Sequence, residues 1–318
     1  MVKRILRRLW IILVVFGIAL GGLVPLSVFQ MLVPKRTMQV QPPQGYLVLS
    51  GGILEMPSGE WVFRVPRRMT PYIMAYTNNG DNWYIYDFGK SLVKVYNFNR
   101  LMQSVDEIRD IDISKVYKNT EQFYYTKIDV TGSVLAVPSP DRQSYYFINL
   151  LDGSEPRVRN FQRVFYSGLP FHFWVYADGC VLGYNFRDDS TERINCGAEI
   201  GHDHVCDISP NGKYILSAEL GTRGIVGIKS TVYSLRVHDL VSGHSRFFRV
   251  SGVGTLEKVM FLDNRYALLV FGLPLTGQWE IKVVDVSLGD YLDWKRFRSR
   301  IWVHSYFPNH LLTEQGSF

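Results

Sequence analysis

The sequence predicts an all-β protein, a six-bladed β-propeller preceded by a single transmembrane helix. From Gly45 onward no long stretch shows helical periodicity, and short runs rich in Val, Ile, Tyr, Phe and Trp are separated by Gly, Asn, Asp and Pro turns. A hairpin pattern recurs along this part of the chain. A long uncharged segment lies near the amino terminus. The composition, 47% apolar and 20% charged, is that of a globular protein and excludes a disordered or collagen-like chain.

The uncharged segment comprises the 26 residues between Arg8 and Lys35. As a helix it would reach roughly 37 to 39 Å, enough to cross a ~30 Å hydrocarbon layer with some tilt. A cleaved signal peptide is the alternative, because small residues at Ala19–Gly21 offer a cleavage point. The length favours a retained anchor. We therefore expect a basic cytoplasmic terminus, a signal-anchor helix and a stiff tether at residues 1–8, 9–33 and 34–44.

The basic residues are unevenly distributed. The net charge of +6 and pI near 9.1 would suggest a nucleic-acid partner, but residues 1–36 hold six basic residues and no acid. The remaining 29 basic residues balance 29 acidic ones, so no nucleic-acid partner is predicted. Four of the six basic residues precede the predicted span, which places the amino terminus in the cytoplasm. The body is then expected in the periplasm, outside the cell or in an organelle lumen.

A hairpin pattern recurs in which an apolar strand ends in a small acidic or amide turn and a second strand follows. Its copies are Ile53–Gly59, Tyr84–Gly89, Tyr146–Gly153, Val237–Gly243 and Val283–Gly289, with a weaker one at Gly183–Asp189. A second pattern has a turn between two strands, clearest in the Pro-Asn-Gly turn of Asp207–Ser217. Looser versions are Asp129–Val137, Tyr176–Leu182 and Phe261–Leu269. Two hairpins in tandem make a four-stranded unit, and such a unit repeated every ~40 to 50 residues predicts a β-propeller.

One blade resembles a known family in detail. The segment from Gly201 to Gly243 carries Gly201-His202, the Ser209–Gly212 turn and the strand Leu235–Leu240, and it looks like a WD40 blade. His238 occupies the position of the family's tryptophan. The other blades lack the Gly-His pair, so residues 45–318 as a whole resemble the divergent WD40-like or TolB-like propellers of bacterial envelopes.

The chain length predicts six blades, because the 282 residues after position 36 divide into units of 47. Seven blades are the alternative. Residues Trp302–Thr313 look like the first hairpin of a blade, and Tyr46–Val65 looks like a second hairpin, so the two ends are expected to build one shared blade that closes the ring. The stretch Asn99–Thr120 fits the repeat badly and is expected to be an inserted loop or short helix.

Residues with the chemistry to bind metal or form disulfides are few. The run His202–Cys206 holds three metal-capable side chains, but ligands at alternate strand positions do not make a site and no metal is predicted. Cys180 and Cys196 are the expected disulfide pair if the body meets oxidising conditions, and free buried thiols are the alternative. The pair Asp188-Asp189 falls in an apparent turn and is interpreted as turn-forming.

No catalytic set is evident in the sequence. It contains no convincing nucleophile elbow and no dinucleotide or P-loop signature in the required strand-to-helix context, so no cofactor is predicted. The abundant aromatic residues, such as those of Phe171–Tyr176, are expected mainly to pack between blades. We expect a membrane-anchored propeller that binds or assembles a protein partner outside the cytoplasm. The alternative is an enzyme or small-ligand binder that uses the central funnel.

Overall fold

Six four-stranded antiparallel sheets contain every strand that the computed structural model describes. It describes residues 42–308 apart from 71, 78–79, 90–91, 120, 130, 153, 168–169, 198–205, 223–229, 254, 274–277 and 299. These residues lie in one compact unit, Val40–Phe318. The six sheets confirm the predicted all-β, six-bladed propeller.

In five blades the strands follow chain order from the inner to the outer strand, and in blade 1 the inner strand comes from the carboxyl-terminal end. Blade 1 contains β24 (Val303–Pro308), β1 (Gly45–Leu49), β2 (Gly52–Met56) and β3 (Trp61–Arg64). Blade 2 contains β4 (Ile73–Thr77), β5 (Asn82–Phe88), β6 (Leu92–Asn99) and β7 (Ser104–Asp112). Blade 3 contains β8 (Lys127–Ile128), β9 (Val134–Pro138), β10 (Tyr145–Asn149) and β11 (Arg157–Arg159).

The other three blades follow the same order. Blade 4 contains β12 (Arg163–Tyr166), β13 (Phe173–Ala177), β14 (Cys180–Asn185) and β15 (Ser190–Cys196). Blade 5 contains β16 (Cys206–Ile208), β17 (Tyr214–Thr222), β18 (Ser230–Asp239) and β19 (Ser245–Val253). Blade 6 contains β20 (Thr255–Phe261), β21 (Tyr266–Leu273), β22 (Gln278–Asp285) and β23 (Asp290–Phe297).

The hydrophobic core is divided among the interfaces between neighbouring blades. Six apolar clusters join blades 1 and 2, 2 and 3, 3 and 4, 4 and 5, 5 and 6, and 6 and 1. Alternate residues of one strand enter different clusters: in β1, Val48 packs towards blade 2, whereas Leu47 and Leu49 pack towards blade 6. Because both faces of the strand are covered, all five of its residues are buried.

The ring closes through a blade shared by the two ends of the chain, as the sequence predicts. β24 pairs with β1 from Gly45, opposite Pro308, to Leu49, opposite Val303. The expected division into two hairpins is wrong, however, because the carboxyl-terminal part contributes one strand and the amino-terminal part contributes three. The other residues of the expected carboxyl-terminal hairpin, 309–313, lie outside the described residues.

The stretch Asn99–Thr120, which the sequence predicts to be an insertion, contains part of a blade, so the prediction is wrong for that part. Residues Ser104–Asp112 form β7, the outer strand of blade 2. The connection that follows contains a 3-10 helix, Gln122–Tyr125, which leads into β8. The side chain of Gln122 is buried and donates to the backbone oxygens of Val116 and Pro138, so this connection is packed against the propeller.

The outer edges of four blades are irregular. Register shifts between the third and fourth strands leave Val62, Ile108, Ile194 and Trp294 without a paired residue. Such bulges twist an outer strand and make it a poor template for pairing with another sheet edge.

The two ends of the propeller differ in the chain connections that lie there. Because the strands of each blade are antiparallel, every connection from an outer strand to the next inner strand lies at the same end, called here the mouth end. Gly45 and Pro308 are paired at the opposite end, where the described chain enters and leaves the propeller. The described residues therefore join the rest of the chain at the end opposite the mouth end.

The predicted transmembrane segment at residues 9–33 lies outside the described residues, as does the tether up to residue 41. Within the residues that are described, no helix has the length and apolar character needed to cross a membrane.

Candidate functional site

Polar side chains from five of the six inner strands come together near the propeller axis. They are called here the central cluster and comprise Lys127 of β8, Tyr166 of β12, Asp207 of β16, Lys258 of β20 and His304 of β24. Inner strands of neighbouring blades lie side by side, as β8 does with β12, β12 with β16, and β16 with β20. Residues far apart in the sequence therefore meet at the centre of the ring.

One of these side chains lies at an irregularity in its strand, and another lies beside one. The pairing of β24 with β1 passes from Ser305 to Val303 and skips His304, and the pairing of β20 with β21 passes from Lys258 to Leu256 and skips Glu257. A bulge of this kind changes the direction of a side chain relative to a regular strand. The bulge thus displaces His304, and the bulge at Glu257 lies directly beside Lys258.

Tyr166 crosses the central channel. Its hydroxyl donates to the backbone oxygen of His304 at 2.6 Å. The two residues belong to blades 4 and 1, which lie opposite each other in a ring of six. The Nζ of Lys258 donates to the backbone oxygen of Val303, and the Nζ of Lys127 lies 5.3 Å from the centre of the Tyr166 ring. The channel is therefore narrow and bridged at this level.

Burial dominates the electrostatics of the cluster. Asp207 is 6% exposed, its Oδ2 accepts from the backbone N–H of Phe261 at 2.7 Å, and burial raises its pKa to about 6. Burial lowers the pKa of Lys127. The pKa of Lys258 is lowered more strongly, by burial and by the positive charge of Lys127. Burial and the two lysines hold the pKa of His304 well below its usual value.

The cluster is deep, and three of its side chains are only partly buried. Lys127, Tyr166 and Lys258 each keep some accessible surface although they lie at the centre of the protein, as expected for residues that line a channel. Two amines, one carboxylate and one imidazole can hold a charged group or exchange a proton with it. No three His, Cys, Asp or Glu side chains of the described chain are grouped as metal ligands would be.

A stack of cationic and aromatic side chains lies at the mouth end, next to the cluster. The guanidinium carbon of the exposed Arg300 is 4.1 Å from the centre of the Trp302 ring, and the Trp302 ring is 4.3 Å from that of Tyr124. Both aromatic residues lie in connections that lead into inner strands. The centre of the Phe123 ring, next to Tyr124 in the sequence, lies 4.7 Å from the centre of the His304 ring. We call Arg300, Trp302 and Tyr124 the mouth stack.

The cysteines occupy one blade and one inner strand. Cys180 and Cys196 face each other across β14 and β15 and form a disulfide, which confirms the predicted pair. Cys206 begins β16, and burial raises the pKa of its thiol to about 12, so it is a poor nucleophile. No metal site is predicted for the run His202–Cys206, and its first four residues lie outside the described residues.

Other residues singled out in the sequence have structural roles. Oδ1 of Asp188 accepts from the backbone N–H and hydroxyl of Ser190, and Asp189 has a positive φ of 58°, so both form the turn predicted for them. In β13, Phe173 and Trp174 enter the cores on either side of blade 4, as expected for aromatic packing between blades. His238 lies within hydrogen-bonding distance of the Ser245 hydroxyl, at 2.9 Å.

The chain is similar to several solved structures at low sequence identity. No protein-family model and no curated protein matches the sequence. Among solved structures, TolB from Acinetobacter baumannii has a TM-score of 0.45 and 12% identity over 80% of this chain and 65% of its own. The periplasmic gluconolactonase of Pseudomonas aeruginosa has a TM-score of 0.46 and 12% identity over 84% and 99%.

Hydrazine synthase of Kuenenia stuttgartiensis has a TM-score of 0.41 and 15% identity over 67% of this chain, which spans 62% of that protein's length. At these TM-scores and identities the similarity carries no conclusion about this chain. The number of blades rests on the strand order described above.

Proposed function

We propose that this protein is a recognition module held at a membrane by residues 9–33, and that it presents the mouth end of its propeller to a protein partner outside the cytoplasm. The observation that carries the proposal is the mouth stack. Trp, Tyr and Arg are the residues that contribute most to protein interfaces, and here one of each is stacked and partly accessible at the same end.

Two further observations support the placement. The Cys180–Cys196 disulfide is of a kind that persists in oxidising compartments. The described chain joins the propeller at the end opposite the mouth stack. A partner can approach the mouth without meeting this attachment point.

The central cluster favours a second activity of the same module, the binding of a small charged ligand in the channel. Its side chains combine both signs of charge with low exposure, which is how polar groups of ligand sites are arranged. In this proposal the protein works by binding, and the chemistry of any bound molecule is left unchanged.

A crosslinking experiment in the cells that make the protein tests the first part. A photo-reactive amino acid replaces the exposed Arg298 at the mouth end, and in a matched variant it replaces the exposed Val241 at the opposite end. We expect one defined protein adduct from position 298 and none from position 241. Equal adducts at both positions would contradict recognition at the mouth.

Protease protection of the full-length chain tests the location. We expect a membrane-bound, full-length product whose propeller is digested only from the non-cytoplasmic side. A propeller digested from the cytoplasmic side would refute the proposed placement, and a soluble product shortened near Gly21 would refute the retained anchor.

A further inference from the structure

The charges of the central cluster do not balance. Lys127 and Lys258 each bring an amine, and Asp207 is the carboxylate among the residues that influence both of them. The charge of Lys127 disfavours a second charge on Lys258, and the charges of both lysines disfavour a charge on His304. Like charges are thus gathered in a region from which bulk water is largely excluded.

Asp207 does not fully offset these amines. It supplies one carboxylate for two amines, and its Oδ2 already accepts the backbone N–H of Phe261. Two ammonium groups gathered without matching negative charge are costly to keep in a protein interior. A negatively charged ligand between the two ammonium groups would stabilise both of them by electrostatic attraction.

An unsatisfied polar atom points to the same kind of ligand. Among the residues that the structure describes, the Nε2 of His304 has no hydrogen-bond partner, although the residue is only 5% exposed. Buried polar nitrogens are nearly always paired, so an unpaired one in a native structure requires an explanation. An acceptor oxygen supplied by a bound molecule would pair this nitrogen, and the lysine charges nearby favour an oxygen that carries negative charge.

We propose that the central channel binds a small oxyanion between the amino groups of Lys127 and Lys258 and the Nε2–H of His304. This inference deepens the ligand-binding part of the proposed function and is independent of the membrane anchor and of the partner. Lysines act as point charges and suit phosphate and sulfate as well as carboxylate groups. The ligand class is therefore a small molecule with a phosphate, sulfate or carboxylate group.

The surrounding geometry fits a small ligand. Tyr166 bridges the channel from blade 4 to blade 1, which limits the depth to which a bulky group could enter. Phe123 contacts the His304 ring and belongs to the same 3-10 helix as Tyr124 of the mouth stack. An anionic group in the cluster could thus carry an apolar or aromatic portion towards the mouth, where Trp302 and Tyr124 lie.

Calorimetric titration of the purified full-length chain with inorganic phosphate, sulfate and acetate tests the inference. The variants are Lys127→Met and Lys258→Met, and the matched control is Lys115→Met, which removes an exposed lysine from the surface. We expect saturable binding of at least one anion, and at least about a tenfold loss of affinity in each channel variant, as for a lost charge-assisted hydrogen bond. The control should bind as the unaltered protein does.

A second measurement covers variants that fail to fold. Nuclear magnetic resonance of the unaltered protein should show the His304 ring signals shifting when phosphate is added, and no shift with chloride at matched ionic strength. Absence of saturable binding for all three anions, or unchanged affinity in both channel variants, would overturn the inference. Because the purified protein is used, these outcomes are separate from those of the crosslinking experiment.

Discussion

A glycine at an interface between blades offers a quantitative test of the packing. Gly132 lies in the turn between β8 and β9, has a φ of +67°, and touches blade 2. A Cβ at this position would lie 2.4 Å from the ring of Tyr76, and the Gly132 backbone oxygen accepts from the hydroxyl of Tyr86 at 3.0 Å. We predict that Gly132→Ala destabilises the protein through both its backbone conformation and this contact.

The two contributions can be estimated separately. The left-handed backbone costs a residue with a Cβ about 1–2 kcal/mol. The contact with the Tyr76 ring is far shorter than van der Waals distance and adds about 1–3 kcal/mol, the usual cost of overpacking. Gly243→Ala is the matched control, because Gly243 has a φ of +72° and no atom of the described residues lies within 4 Å of its added Cβ. The Gly243→Ala variant should lose only the stability that depends on the backbone conformation.

Equilibrium unfolding in urea measures both losses. We expect Gly132→Ala to lose about 2–5 kcal/mol and to exceed the control by about 1–3 kcal/mol. In a Tyr76→Ala background the excess should disappear, because the ring atoms that clash are gone. Equal losses for the two glycine variants, or an excess that survives removal of the ring, would refute the packing described between blades 2 and 3.

Three other predictions concern stability. Replacing Cys180 and Cys196 with Ser should cost about 3 kcal/mol and leave a protein whose urea midpoint no longer responds to reductant, since the bridge closes a loop of 16 residues. Glu280→Ala should lower the free energy of unfolding in urea by about 3 kcal/mol, because the buried Glu280 carboxylate lies 3.5 Å from the buried Lys282 and 2.9 Å from Arg296. Glu107→Ala, which removes a carboxylate from an exposed ion pair, should lower it by less than about 1 kcal/mol. Burial raises the pKa of Asp207 to about 6 in the folded state, so between about pH 4 and pH 6 the folded state binds this proton and the unfolded state does not. The free energy of unfolding should therefore fall by up to about 3 kcal/mol as the pH rises through this range. Asp207→Asn should remove this dependence, and a slope that persists in the variant would assign it to another group.

The sequence predicts the blades well where their signal is local. Turn residues such as Asn211 and Gly212 and the strands beside them mark a hairpin without reference to the rest of the protein. β7 was missed because an outer strand has little core to face: within Ser104–Asp112 only Ile111 is buried, so no alternation of apolar and polar residues appears. The sequence predicts two strands from each end of the chain in blade 1, whereas the structure has one and three. Which strand pairs with β24 depends on ring closure and cannot be read from the sequence.

The candidate site could not be predicted in the same way. Lys127, Asp207, Lys258 and His304 each occur once in a different strand, with no fixed spacing between them, and only ring closure brings them together. The bulge at His304 likewise depends on the pairing of β24 with β1 and is invisible in the sequence. The disulfide was predictable because Cys180 and Cys196 are close in sequence and belong to one blade.

The pairing of the two chain ends at Gly45 and Pro308 has a mechanical consequence. A pull on the amino-terminal side of the propeller, opposed by a load at the mouth, would run lengthwise along β1. Its hydrogen bonds to β24 and β2 would then be loaded in shear, with all of them sharing the force, and would not open one at a time as in a peeled hairpin. Closing the ring with a strand from the far end of the chain therefore also makes β1 a strong point of attachment.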